Sequence, residues 1–110
     1  MLGSFKARCA PFNVNYRYVE DELLYLFDNA DAKAVVYHAS FAPTLARIRE
    51  RLTQVRLWLQ AADECGKALL PGALDYEQAL ADAKPDVPEG LSGDDLYILY
   101  TGGTTGLPKG

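Results

Sequence analysis

Cysteine is scarce in this chain of 110 residues, and its two copies, Cys9 and Cys65, form no Cys-x-x-Cys pair. That excludes a disulfide-stapled scaffold and predicts two reduced, partly buried thiols in a cytoplasmic protein. Histidine occurs once, at His38. No metal cluster can be assembled around it, and it reads as a strand-end residue that bonds locally, not as a general base. Positive charge is in deficit, with 11 Lys and Arg against 15 Asp and Glu and a net charge of −4. A nucleic-acid surface would need the opposite balance. No apolar run approaches the ~20 residues of a transmembrane helix, and Met1–Lys6 lacks the charged-then-apolar pattern of a secretory signal. Internal repeats and low-complexity segments are missing too.

Hydrophobic residues at 49% and charged residues at 24% are near the averages for a globular chain, and the length suffices for at most one domain. Met1–Arg8 reads as the tail of an element that begins upstream, and both ends of the chain read as cut. Cys9–Asn15 is a short extended piece, confined by Pro11 to an edge or a strand start, with Asn13 and Asn15 as turn formers. Val19, Leu23, Leu26, Phe27 and Ala30 then recur at helical spacing. Glu20, Asp21 and Glu22 sit where carboxylates suit the positive end of that helix, which should end near Asp28-Asn29.

Ala34-Val35-Val36-Tyr37 is a continuous apolar run of the kind buried on both faces. Ser40 as N-cap and Pro43 in the first turn open a second helix, with Leu45, Ile48 and Leu52 inward and Arg47, Arg49 and Arg51 on a solvated face. Val55–Leu59 is the next strand and residues 62–72 a loop. Asp75 and Gln78 stand at capping-box spacing at the start of a third helix, striped by Tyr76, Ala79, Leu80 and Ala83. The tyrosines and Trp58 are core by default. A connector with two prolines and two glycines leads to a last run of β-formers, Leu96–Tyr100. The order β-α-β-α-β-α-β predicts an α/β fold, a partial and mostly parallel sheet with flanking helices. Ligands bind at the C-terminal edge of such sheets.

From that edge leaves Thr101-Gly102-Gly103-Thr104-Thr105-Gly106-Leu107-Pro108-Lys109-Gly110. Glycines allow backbone N–H groups to converge on an anion, the threonines add hydroxyl donors and Lys109 adds a positive charge. Together these residues suit phosphate. The spacing is not that of the mononucleotide P-loop, which needs Gly directly before the lysine and Ser or Thr directly after it. Pro108 also disfavours helical geometry at Leu107, so the cradle would be a hairpin-like loop rather than a helix start.

The run Tyr100 to Gly110 resembles the phosphate-binding signature of the adenylate-forming superfamily, the acyl-CoA synthetases, luciferases and adenylation domains of peptide synthetases. Gly103 precedes the Thr-Thr pair as that pattern requires, while Gly102 stands where many members carry serine, which removes one side-chain donor. Phe5-Lys6-Ala7-Arg8 and Pro11 to Arg17, followed by Glu22-Leu23, are similar to the "N-x-R…E-L" region that precedes the loop in acyl-CoA synthetases. The likeness covers nearly the whole chain. The Tyr-Thr-Gly-Gly-Thr-Thr-Gly form is most similar to fatty-acid or steroid-acid CoA ligases of actinobacterial type.

The resemblance implies that residues 1–110 are a single, incomplete segment of an AMP-binding domain, with its phosphate-binding loop at 100–110. It implies ATP, Mg2+ and CoA as reactants, a small carboxylic acid as the group activated, and a two-step reaction through an acyl-adenylate. Thr101, Gly102, Gly103, Thr104, Thr105, Gly106 and Lys109 would hold the ATP phosphates, and Thr101 would touch the magnesium. The family's adenylation and thiolation residues follow the loop, so no catalytic residue is expected within these 110 positions and the piece alone should be inactive. A free-standing phosphate-binding module, an inactive remnant, or an adenylation domain that loads a carrier protein remain alternatives at this level.

Overall fold

A computed structural model describes residues 2–86 and 92–101. They fall into two compact units, Val19–Ala83 on one hand and Met1–Tyr18 with Lys84–Gly110 on the other.

In the Val19–Ala83 unit, the expected first helix is α2, Glu20–Asn29 (α1 belongs to the other unit). Val19 has no side-chain acceptor to cap it. Instead the Glu22 carboxylate reaches back and accepts from the Val19 N–H at 2.9 Å, and three acids occupy the first turn. Leu23, Leu26 and Phe27 form its buried stripe. The helix stops in a Schellman motif: Asp31 takes a left-handed φ of 49°, its N–H bonds Asp28, and the Ala32 N–H bonds Phe27.

Three parallel strands follow in the order β1 (Ala34–His38), β2 (Leu57–Ala61), β3 (Leu74–Asp75). Parallel pairing puts their C-terminal ends at one edge, as expected. Three details differ. The second strand starts at Leu57, not Val55, because Lys33 C=O takes the Arg56 and Leu57 N–H groups ahead of the ladder. β3 is too short to show a period in the sequence. The β1 run is buried on one face only: Val35 and Tyr37 are inside, while Val36 is 60% exposed. Register explains the split, since Val35 pairs with Trp58 and Tyr37 with Gln60 on the covered face, while Val36 and Leu57 fall on the more exposed one.

β1 runs into a 3-10 turn, Ala39–Phe41, before α3, Ala42–Ile48. Pro43 sits in the first turn of α3 as expected, but Ser40 is inside the 3-10 turn and does not cap the helix. Its N–H instead donates to Asp63 Oδ2 at 2.8 Å. Leu45, Ile48 and Leu52 are buried. The arginines are less solvated than their alternation suggested. Arg47 pairs with Glu20, while Arg49 donates to Pro71 C=O and lies over the Trp58 ring at 5.4 Å. Gly72 beside it stands at φ 75°, the left-handed region that favours glycine, and a Cβ there would also displace the Arg49 guanidinium.

Gln60 is the one buried polar side chain among the described residues, 2% exposed. It accepts from Tyr37 Oη at 3.0 Å and from Leu70 N–H at 3.3 Å, and it donates to Ala68 C=O at 3.0 Å and Lys67 C=O at 3.4 Å. Each of its polar atoms is satisfied, so burial is tolerated and the 67–70 loop is tied to the sheet. α4, Tyr76–Asp82, begins as expected, with Asp75 accepting from Gln78 N–H at 2.8 Å. The reciprocal half of the capping box is absent because Gln78 turns to Asp82. The Leu80 side of its stripe is exposed.

Candidate functional site

The second unit opens with α1, Leu2–Lys6. It too closes in a Schellman motif, with Arg8 at φ 58°, its N–H on Phe5 C=O and the Cys9 N–H on Ser4 C=O. Residues 9–15 then run without helix or ladder. Asn15 ends the run in an Asx turn, its Oδ1 accepting from Arg17 N–H at 3.0 Å, and the Arg17 guanidinium lies 5.4 Å over the Tyr16 ring. The Asn-x-Arg spacing noted in the sequence therefore has a local structural purpose, as does Glu22-Leu23 in α2.

Residues 92–101 lie against this segment. Ser92 makes a tight turn: its Oγ accepts from Asp94 N–H at 3.1 Å and its C=O from Asp95 N–H at 3.2 Å. Asp95 then pairs with Arg8 at 2.7 Å, Ile98 N–H donates to Pro11 C=O at 3.0 Å, and the Phe12 and Tyr100 rings meet at 5.6 Å and 57°. The expected strand Leu96–Tyr100 is thus an extended segment without a continuous ladder among the described residues. Its partner is a proline-bearing segment, and proline lacks the N–H that a regular ladder needs. Cys9–Asn15 falls short of a strand for the same reason.

Thr101 is exposed, in a single bridge at the end of this segment. The other expected phosphate-binding residues, Gly102, Gly103, Thr104, Thr105, Gly106 and Lys109, lie outside the described residues. The elements that lead to the loop come from opposite ends of the sequence. Arg8 and Asp95, Phe12 and Tyr100 carried no signal in common, because a contact 87 residues apart leaves no periodicity to find.

Elsewhere, the structure answers the smaller questions. His38 ends β1, exposed, and makes no capping bond to the turn after it. Both cysteines are exposed and free, not partly buried, because each sits in a loop rather than on an inner face. The Cys65 thiol is pushed up, first by its hydrogen bond to Asp63 and then by desolvation, which suits an inert thiol better than a nucleophile. The bonds from the Cys65 thiol, from its N–H at 2.9 Å and from the Ser40 N–H hold the Asp63 carboxyl well below the usual carboxylate range. An open groove of about 410 Å³ between α2 and the end of α3, lined by Asp21, Tyr25, Asp28 and Arg51 among others, contains none of the expected site residues. No described helix is long and apolar enough to cross a membrane.

A model of the AMP-binding enzyme family matches residues 1–110. The chain is 55% identical to the medium-chain acyl-CoA ligase Mig of Mycobacterium avium and 42% identical to a 3-oxocholest-4-en-26-oate–CoA ligase of Rhodococcus rhodochrous. Both alignments cover 100% of this chain but 20% of the relative, so the chain spans about a fifth of their length. Among solved structures, the anthranilate CoA ligase AuaEII with anthranoyl-AMP superposes with a TM-score of 0.78 over 91% of this chain and 19% of that one, at 20% identity. A Brucella canis acyl-CoA synthetase gives 0.76 over 98% and 19%, at 22% identity. At these identities the two structures establish the shared fold alone.

Proposed function

The chain belongs to the AMP-binding enzyme family, and from that premise we propose that it forms part of an ATP-dependent carboxylate–CoA ligase. Residues 1–110 are one segment of the AMP-binding domain, and the loop at 100–110 holds the ATP phosphates. The observation that carries this reading is the hydroxyl-, glycine- and lysine-bearing run that follows directly on the braced segment ending at Thr101. The acid is a fatty or steroid side-chain carboxylate, the class named for the relatives. Exposed, unpaired cysteines support a cytoplasmic setting, where thiols are kept reduced.

In the reaction the carboxylate displaces pyrophosphate from ATP to give the acyl-adenylate, and the CoA thiol then displaces AMP. The chain's part lies in the first step. Backbone N–H groups of Gly102, Gly103 and Gly106 and the hydroxyls of Thr101, Thr104 and Thr105 bind the β- and γ-phosphates. Lys109 offsets their charge as pyrophosphate leaves, where such a donor acts on charge that grows in the transition state. Thr101, an exposed residue, carries a neutral hydroxyl oxygen of the kind magnesium takes beside phosphates and water. Among the described residues no cluster of three His, Cys, Asp or Glu offers the metal another site. When bound, the metal supplies charge neutralisation to the phosphates.

The test is carboxylate-dependent ATP–pyrophosphate exchange by the gene product that carries this chain. Lys109→Ala should slow exchange by about a hundredfold while leaving the fold in place. Unchanged exchange in that variant would refute the assigned role.

A further inference from the structure

We infer that the segment from Arg8 to Phe12 is a brace for the phosphate-binding loop, with Arg8 and Phe12 as positioning residues for ATP. This rests on the functional reading above. Three contacts join the segment to residues 95–100: the Arg8–Asp95 ion pair at 2.7 Å, the Ile98 N–H to Pro11 C=O bond at 3.0 Å, and the Phe12–Tyr100 ring contact at 5.6 Å. They occur in the same order along both segments, 8 with 95, 11 with 98, 12 with 100, so the two run side by side in parallel. At about 3.3 Å per extended residue, four steps along one segment and five along the other spread them over roughly 13–16 Å.

That spread is what a single contact lacks. One hydrogen bond would let the extended segment slide, and a slip of one residue would turn every side chain to the opposite face. A charge pair at one end and a ring pair at the other specify a single register. Both ends of the ion pair are themselves held. Arg8 is the left-handed closing residue of α1, and Asp95 also accepts from Ser92 N–H at 3.4 Å within its turn. The last contact falls on Tyr100, directly before Thr101, so the brace sets the point at which the phosphate donors begin. Such donors work only when placed to within about 0.5 Å of the productive geometry.

The ion pair is poorly suited to a purely stabilising role. The Arg8 side chain is 53% exposed and that of Asp95 19%, and a pair open to water on one side contributes modestly to folding. Its effect should therefore appear in nucleotide affinity.

The experiment compares wild type with Arg8→Asp, Asp95→Arg and the double swap, and with Phe12→Ala beside the conservative Phe12→Tyr. It reads amide hydrogen exchange over residues 96–101 and the affinity for MgATP without acid or CoA. Arg8→Asp should speed exchange at Ile98 by about tenfold and weaken MgATP by about fivefold. The double swap should restore both, Phe12→Ala should act like Arg8→Asp, and Phe12→Tyr like wild type. KM for the carboxylate should stay the same throughout. Faster exchange with unchanged ATP affinity would mean the contacts are merely structural and would overturn the proposal, as would no change in either. A wild type that takes up no MgATP would refute the functional reading and the positioning role with it. That outcome is told apart from failure of the brace alone, in which wild type binds MgATP and the swapped pair does not matter.

Discussion

Replacing Gln60 by leucine removes the one buried polar hub of the described core while keeping its approximate volume. Gln60 makes four hydrogen bonds, two at 3.0 Å, to Tyr37 Oη and Ala68 C=O, and two longer ones at 3.3 and 3.4 Å. A net contribution of about 1 kcal/mol applies to each short bond and less to the long ones. The 67–69 loop is exposed, so its carbonyls can turn to water when the amide is gone. The Tyr37 hydroxyl stands on a buried side chain and is left without its partner, which costs about 1–3 kcal/mol. Leucine recovers part of this by apolar burial. The expected loss is therefore about 2–3 kcal/mol, larger than the roughly 1 kcal/mol for Tyr37→Phe, which removes one short bond only. Trp58 is the only tryptophan and packs edge-on to Tyr37 at 6.2 Å, so its fluorescence reports on this site during urea unfolding. With a slope near 1 kcal/mol per molar urea for a chain of this size, the midpoint should fall by about 2–3 M. A Gln60→Leu midpoint within about 0.5 M of wild type would refute the claim that these bonds secure the sheet and the 67–70 loop.

Asp63 should make stability sensitive to acid. Its folded-state affinity for protons is lowered by the Cys65 and Ser40 bonds, so its contribution is present above the unfolded value and lost as pH falls below about 4. Asp63→Asn should flatten that acid limb in a urea midpoint series, and an unchanged slope would count against it. At the other extreme, burial raises the Tyr37 hydroxyl, with Arg49 opposing. Stability should then decline as pH rises past about 10, and Tyr37→Phe should abolish that decline. Gly72→Ala forces a left-handed alanine against Arg49 and should lower stability by about 1–2 kcal/mol, read by thermal melting. Asp31→Gly relieves the non-glycine left-handed closure of α2 and should raise stability by up to about 1 kcal/mol, less what the exposed Lys33 pair contributes; a loss would show that pair to matter more.

What could be read in advance followed covalent distance. The α2 stripe of Leu23, Leu26 and Phe27, the end of that helix at Asn29, the Asp75–Gln78 cap and the parallel α/β class all rest on residues a few positions apart. Ser40 misled because an N-cap residue type was read without Asp63, 23 positions away, which takes its N–H. Arg49 misled because alternation says nothing of Trp58 or Pro71.

The amino-acid sequence by itself determined the α2 and α4 helices, the glycine-, threonine- and lysine-bearing run from Thr101 to Lys109 and the family, because spacing along one chain places those groups whatever the rest does. Tertiary structure alone decided which face of β1 is buried, that a glutamine is the core's polar hub, and that Arg8 to Phe12 lies beside Asp95 to Tyr100. Each of these depends on the register between strands or on partners as far as 23 and 87 positions apart, and only folding brings such partners into contact.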